Sequence, residues 1–267
     1  MAENGPLSDV ASGIGAVIKL GSDSPRMRDA GGNLAYSLDV ITGVIKTVLM
    51  PLAVVNARAQ DFFETKFPEL LAEKLAAVPP ENLETPKPSV AGPTLQGLNY
   101  SHEEPELRDM YMSLLATAMD SRVSTSAHPA FAEIVSALSA AEVAPLDILV
   151  RRFRIDLARL KVVSKGSQGY TVIRNHLGPW MTGDKPAQDP MLPAYLDNWA
   201  RLGLIRISYT SHSVGEDTYD WVELRPEFKQ EEALLGPDQS LRFDKGIAEI
   251  TEFGRAFARA VGVLDPV

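Results

Sequence analysis

The residues from Pro105 to Glu142 constrain this chain more than any other stretch. Leu107, Met110, Tyr111, Leu114, Leu115, Ala118 and Met119 recur at three- and four-residue intervals, the spacing of one face of an α-helix. Arg108, Asp109, Ser113, Thr117 and Asp120 take the opposite face. A polar loop, Ser121 to Ala127, ends this helix. His128-Pro129 then opens a second apolar helix, with proline at a favoured first position, lined by Phe131, Ile134, Val135 and Leu138. A chain with such a segment must bury a helix pair, so its core is helical.

The rest of the chain divides around that pair. Residues 1–28 are Gly- and Ser-rich and read as a flexible arm. Residues 29–78 are helical in pattern and contain an apolar segment, 40–55, broken only by Lys46, two threonines, Gly43 and Pro51. That segment is sixteen residues long, and a membrane-spanning helix needs about twenty. Ile41, Ile45, Val48, Leu49 and Leu52 form its candidate contact face. Burial in the fold or against another copy of the chain, a surface-lying or conditionally inserted membrane helix, and a true span are all open at this point. Residues 79–93 hold five prolines and read as an extended connector.

Residues 94–153 form the helical core, and Ser139-Ala-Ala-Glu142 supplies a capping box for the helix that runs to about Phe153. Residues 154–267 alternate. Strands are expected near Leu157–Ser164 and Gly169–Asn175, joined through Lys165–Gly169 as a hairpin. A helix is expected over Met191–Leu202, then strands at Leu204–Tyr209, Tyr219–Leu224 and Ile247–Ile250. Thr251 caps a final helix. This order resembles a winged helix. The fold class is therefore mostly α with an α+β remainder, an N-terminal helical region followed by a winged-helix-like region.

Charge bears on partners. The net charge is −9 over 267 residues, which disfavours a general nucleic-acid binder. Its distribution is uneven. Arg151, Arg152, Arg154, Arg159, Lys161, Lys165 and Arg174 stand against Asp156 alone, seven minus one or +6. From Arg201 onward eight cations face twelve anions, or −4. The basic stretch is thus the candidate anion or nucleic-acid contact, and a solvated surface with local pairing is the plainer reading of it. The Met191–Leu202 helix is poor equipment for DNA, with one arginine and two large aromatics, and the loop between the two strands expected after it, Gly215-Glu-Asp-Thr, is acidic.

Catalytic signatures are missing. No phosphate loop, dinucleotide fingerprint, nucleophile elbow or HExxH motif is present, and the sequence has no cysteine. His102, His128, His176 and His212 are scattered, without metal-ligand spacing. No catalytic residue, cofactor or metal is assigned. The polar, acidic start, MAENGPLSD, lacks a signal peptide, and a cytoplasmic setting is expected.

The series Leu107-Arg-Asp-Met-Tyr111, Leu114-Leu-Ala-Thr-Ala-Met-Asp120 and Ala127-His-Pro-Ala-Phe-Ala-Glu-Ile-Val-Ser-Ala-Leu-Ser139 resembles the abortive infection alpha family. The resemblance extends upstream to Leu75–Leu83 and Pro88–Pro93, and downstream to Ile250–Phe257, roughly Phe62 to Ala260 in all. It implies a role in bacterial defence against phage. It supplies neither a reaction nor catalytic residues, and within it His128 and Pro129 are expected to be structural, the ring helping to cap the helix. The resulting expectation is a non-enzymatic defence protein, cytoplasmic or peripheral to the inner membrane, that works through a protein partner, self-association or a membrane surface. A nucleic-acid-binding module using 151–174 and an unrecognised enzyme are the alternatives.

Overall fold

A computed structural model describes residues 57–182, 185–186 and 188–265. The apolar segment 40–55 and the arm before it lie outside the described residues. Two compact units are present. One comprises the described residues up to Val143 together with those from Ala256 onward, and the other runs from Ala144 to Arg255.

The first unit is helical. Helix α1 (Ala57–Asp61) passes through a single π turn (Phe62–Lys66) into α2 (Phe67–Leu75). Pro68 explains the widened turn: proline has no amide to donate and its ring collides with the carbonyl four residues back. The amide of Phe67 therefore reaches the carbonyl of Phe62 instead. The turn gathers Phe62, Phe63 and Phe67, all buried, with ring centroids 5.3–6.3 Å apart. The proline-rich stretch expected to be an extended connector is extended only in part. Pro80–Asn82 forms a 3-10 turn, and α3 (Pro88–Ser101) starts on Pro88, with Pro93 inside the helix. Pro88 needs no donor in a first turn, and its fixed φ suits helix initiation.

Helix α4 (Pro105–Met119) is the predicted central helix, and its apolar stripe is buried as expected. Its polar face differs from expectation, because Ser113 and Asp120 are also buried. Helices α2 and α3 pack on it together with α5 (Ala130–Ser136), so little of its circumference meets water. Gly97 lets α3 approach closely: a Cβ there would lie 2.2 Å from the Tyr111 ring. At the end of α4, buried Asp120 is gripped by Arg122, Nε to Oδ1 at 2.8 Å and Nη2 to Oδ2 at 2.6 Å. That pairing holds the Asp120 carboxyl below its ordinary range.

The second unit is built on a four-stranded antiparallel sheet in the order β2 (Tyr170–Leu177), β1 (Arg154–Ser164), β6 (Gln239–Ile250), β5 (Ile205–Ser208). Helix α6 (Ala140–Arg152) leads to β1 (Arg154–Ser164), and β2 (Tyr170–Leu177) closes the predicted hairpin. At the expected capping box of α6, Glu142 accepts from the Ser139 amide at 2.7 Å and from the Ser139 hydroxyl at 2.9 Å. A two-residue ribbon, β3 (Met181–Thr182) with β4 (Lys185–Pro186), precedes α7 (Leu192–Arg201). Strand β5 (Ile205–Ser208) then pairs with β6 (Gln239–Ile250), Ile205 opposite Ile250.

The strand expected at Tyr219–Leu224 is therefore corrected. The chain turns there and forms a short helix, α8 (Trp221–Leu224), followed by α9 (Pro226–Ala233). Tyr219 and Val222, three apart, are the buried positions, which is helical spacing. They pack with Ala158, Leu160, Leu177 and Phe228 on one face of the sheet. Thr251 caps α10 (Glu252–Ala260) as expected, accepting from the Gly254 amide at 2.8 Å. Gly254 is required there, since a Cβ would sit 2.1 Å from the Leu204 carbonyl oxygen.

Candidate functional site

Strand β2 is irregular where it approaches α7. Ala158 pairs with Leu177 and Leu160 with Arg174, so two steps along β1 match three along β2. The extra residue makes a bulge, a feature that re-aims side chains. His176 lies in it with φ +57°. Such backbone strain at a residue other than glycine is held in place by its surroundings and concentrates at functional sites.

Three contacts hold His176. Its backbone N–H donates to the Tyr209 hydroxyl at 3.1 Å. Its Nδ1 lies 3.0 Å from that same hydroxyl, and its Nε2 lies 3.1 Å from Asp197 Oδ1. The neutral ring satisfies all of them at once: Nε2–H donates to the carboxylate, and bare Nδ1 accepts the tyrosine O–H. Asp197 comes from α7, whose apolar side seats Leu192, Leu196 and Trp199. Tyr209 follows β5 and stacks on the His176 ring, centroids 6.0 Å apart. The Arg159 guanidinium covers Tyr209 at 4.6 Å and pairs with Asp244, as does Lys161. Burial pushes the Tyr209 hydroxyl up to about 12, so it keeps its proton at neutral pH.

Asp197 and His176 of this chain of contacts border a cavity of about 620 Å³. Arg174, His176, Gln188, Asp197, Arg225 and Gln230 are among its lining residues. Buried Arg225 braces it, Nη1 donating to the carbonyls of Gly178 and Trp180 at 3.1 Å each, and Nε and Nη2 to Glu227. The lining mixes amides, carboxylates and guanidinium groups, suiting a polar ligand held by several hydrogen bonds. Among the described residues, no three His, Asp or Glu side chains converge as metal ligands.

The predicted site residues fall elsewhere or into pairs. Arg151 pairs with Asp147, Arg154 with Glu249, Arg159 and Lys161 with Asp244, and Arg174 with Glu231. Five of the seven cations in the basic stretch thus have carboxylate partners; Arg152 and Lys165 make no ion pair among the described residues. Ile41, Ile45, Val48, Leu49 and Leu52 lie outside the described residues. His128 is exposed and its Nδ1 accepts the Ala130 amide at 3.1 Å, a capping contact beside Pro129 at the start of α5.

Asp197, His176 and Tyr209 share no sequence motif. They are 21 and 33 residues apart, and neither the bulge nor the positive φ has a local signal. The one sequence clue was a histidine just before Leu177-Gly178 at a strand end.

Residues 58–261 match the family model described as abortive infection alpha, which covers most of the chain. No curated protein and no solved structure matches.

Proposed function

The chain belongs to the abortive infection alpha family, and from that membership we propose that it acts in phage defence as a non-enzymatic, cytoplasmic binding protein. The cavity beside His176 takes a polar ligand. The apolar segment 40–55 is the acting element, shielded at rest and presented to the inner membrane or to a protein partner on triggering. The observation that supports a binding role is the polar lining of the cavity, with Arg174, Gln188, Asp197, Arg225 and Gln230 around it. Burial keeps the Tyr209 hydroxyl protonated at neutral pH, so it is not itself a ready nucleophile.

No helix among the described residues is long and apolar enough to cross a membrane. The proposed membrane contact is placed on the segment 40–55 because of the apolar pattern of its sequence. The winged-helix character of the second unit and a nucleic-acid interface along β1 and β2 form a weaker reading. Arg159 and Lys161 spend their charge on Asp244, and Arg174 spends its charge on Glu231.

Fractionation of cells before and after phage challenge tests the proposal. The protein should move from the soluble fraction into the membrane pellet or into a heavier complex on infection. An unchanged soluble, monomeric distribution in cells that are protected would overturn it.

A further inference from the structure

The turn between α6 and β1 carries a feature that packing does not explain. Its sequence is Arg151-Arg152-Phe153-Arg154, and all four residues are exposed. Phe153 has φ +62° and is 52% exposed. A left-handed residue after a helix is ordinarily glycine, because a Cβ is strained there. Here the position holds a large aromatic ring that is neither relaxed nor buried. The conformation is pinned by the Ile250 amide, which donates to the Phe153 carbonyl at 3.0 Å as the β1–β6 ladder begins. The ring is thus held outward by the fold.

Its surroundings are cationic. Arg152, Phe153, Arg154 and Arg255 line a cavity of about 440 Å³, together with Glu249 and Ile250. Arg154 reaches Glu249 only at 3.9 Å, with both side chains about half exposed. Arg255 is bound to Glu252 on its own helix. Exposed pairs of this kind exchange partners at little cost. Arg152 makes no ion pair among the described residues.

We infer that the Arg152-Phe153-Arg154 turn, with Arg255, is a binding site for single-stranded nucleic acid. One base stacks on the Phe153 ring, and the arginines take the flanking phosphates. Exposed aromatics among arginines bind unpaired bases in this way, whatever the base. A duplex keeps its bases stacked inside and offers the ring nothing. The site is confined to the turn, since Arg159, Lys161 and Arg174 on the strands that follow it are each paired with a carboxylate. This inference is independent of the role given to the cavity at His176 and to the segment 40–55.

Fluorescence anisotropy with the full chain tests it, using a fluorescein-labelled 12-nucleotide oligouridylate, an oligothymidylate of equal length, and a 12-base-pair duplex. Both single strands should bind and the duplex should not. Phe153→Gly should weaken binding about tenfold, a typical loss for one stacked base. Because glycine fits the positive φ, its melting temperature should stay level or rise. Phe153→Tyr should bind within about twofold of the parent, and Arg152→Gln should reduce the salt slope by about one. Uridine monophosphate as competitor distinguishes the sources. Displacement at matched site concentration marks a free-nucleotide site of the same chemistry, and displacement only by the oligomer marks the strand. Equal binding by Phe153→Gly, equal binding of the duplex, or no binding of either strand would overturn the inference.

Discussion

Removing the Tyr209 hydroxyl is the sharpest perturbation of the His176 site. In Tyr209→Phe the ring stays, and with it the Arg159 guanidinium 4.6 Å from the centroid and the stacking on His176. Two interactions go: the O–H donated to Nδ1 at 3.0 Å and the acceptor for the His176 backbone amide at 3.1 Å. His176 is 9% exposed and its amide already lies outside the regular ladder, so water replaces the lost acceptor poorly. A buried donor left without a partner costs about 1–3 kcal/mol. For a protein of this size that is roughly a 2–10 °C fall in melting temperature. The φ of +57° at His176 is held against its own preference, so the fall should lie in the upper half of that range. Thermal melts by circular dichroism give the temperature, and nitrogen-15 spectra of the histidine ring report whether Nδ1 has lost its partner. A melt within about 1 °C of the parent, with unchanged ring shifts, would refute the wiring described here.

Other outcomes follow from particular contacts. His176→Gly should be about 1 kcal/mol more stable than His176→Ala by denaturant titration, because only glycine is unstrained at the positive φ. Leu114→Ala empties a fully buried position in α4 and should cost about 2–5 kcal/mol in the same assay. Gly97→Ala should lower the melting temperature by several degrees, since its methyl would meet the Tyr111 ring and overpacking costs about 1–3 kcal/mol. Burial raises both Tyr111 and Tyr209 to about 12, so their contribution is intact below the ordinary tyrosine value of 10 and lost as pH climbs from 10 towards 12. Absorbance at alkaline pH should show Tyr111 and Tyr209 ionising together with unfolding.

Local pattern carried the helices well. The three- and four-residue spacing in α4, the His128-Pro129 opening of α5, the hairpin β1–β2 and the Thr251 cap all follow from neighbours in sequence. The misreadings arise where distant residues decide. Tyr219–Leu224 has the aromatic and β-branched content of a strand, yet β5 finds its partner in β6, some 45 residues away at Ile205 and Ile250. With the edge taken, Tyr219 and Val222 fold onto the sheet face as a turn and short helix. Pro93 suggests an open chain, but a single missing helical hydrogen bond is tolerated where Val90, Ala91 and Leu95 are buried around it. The basic run stands out in sequence, while the carboxylates that neutralise it, Asp244 and Glu231, lie 57 to 85 residues further along. The His176 site depends on a bulge, a positive φ and two long-range partners, and none of these has a sequence signal.

The most direct test of the defence proposal is the efficiency of phage plating on cells that express Val48→Asp in place of the parent chain. A carboxylate at the centre of an inserting helix costs about 2.5–3.5 kcal/mol, enough to shift a balanced equilibrium about a hundredfold. The account predicts that protection is lost while the circular dichroism and thermal melt of the variant match the parent. A folded variant that protects in full would contradict it, as would a variant that unfolds throughout, which would make the segment ordinary core.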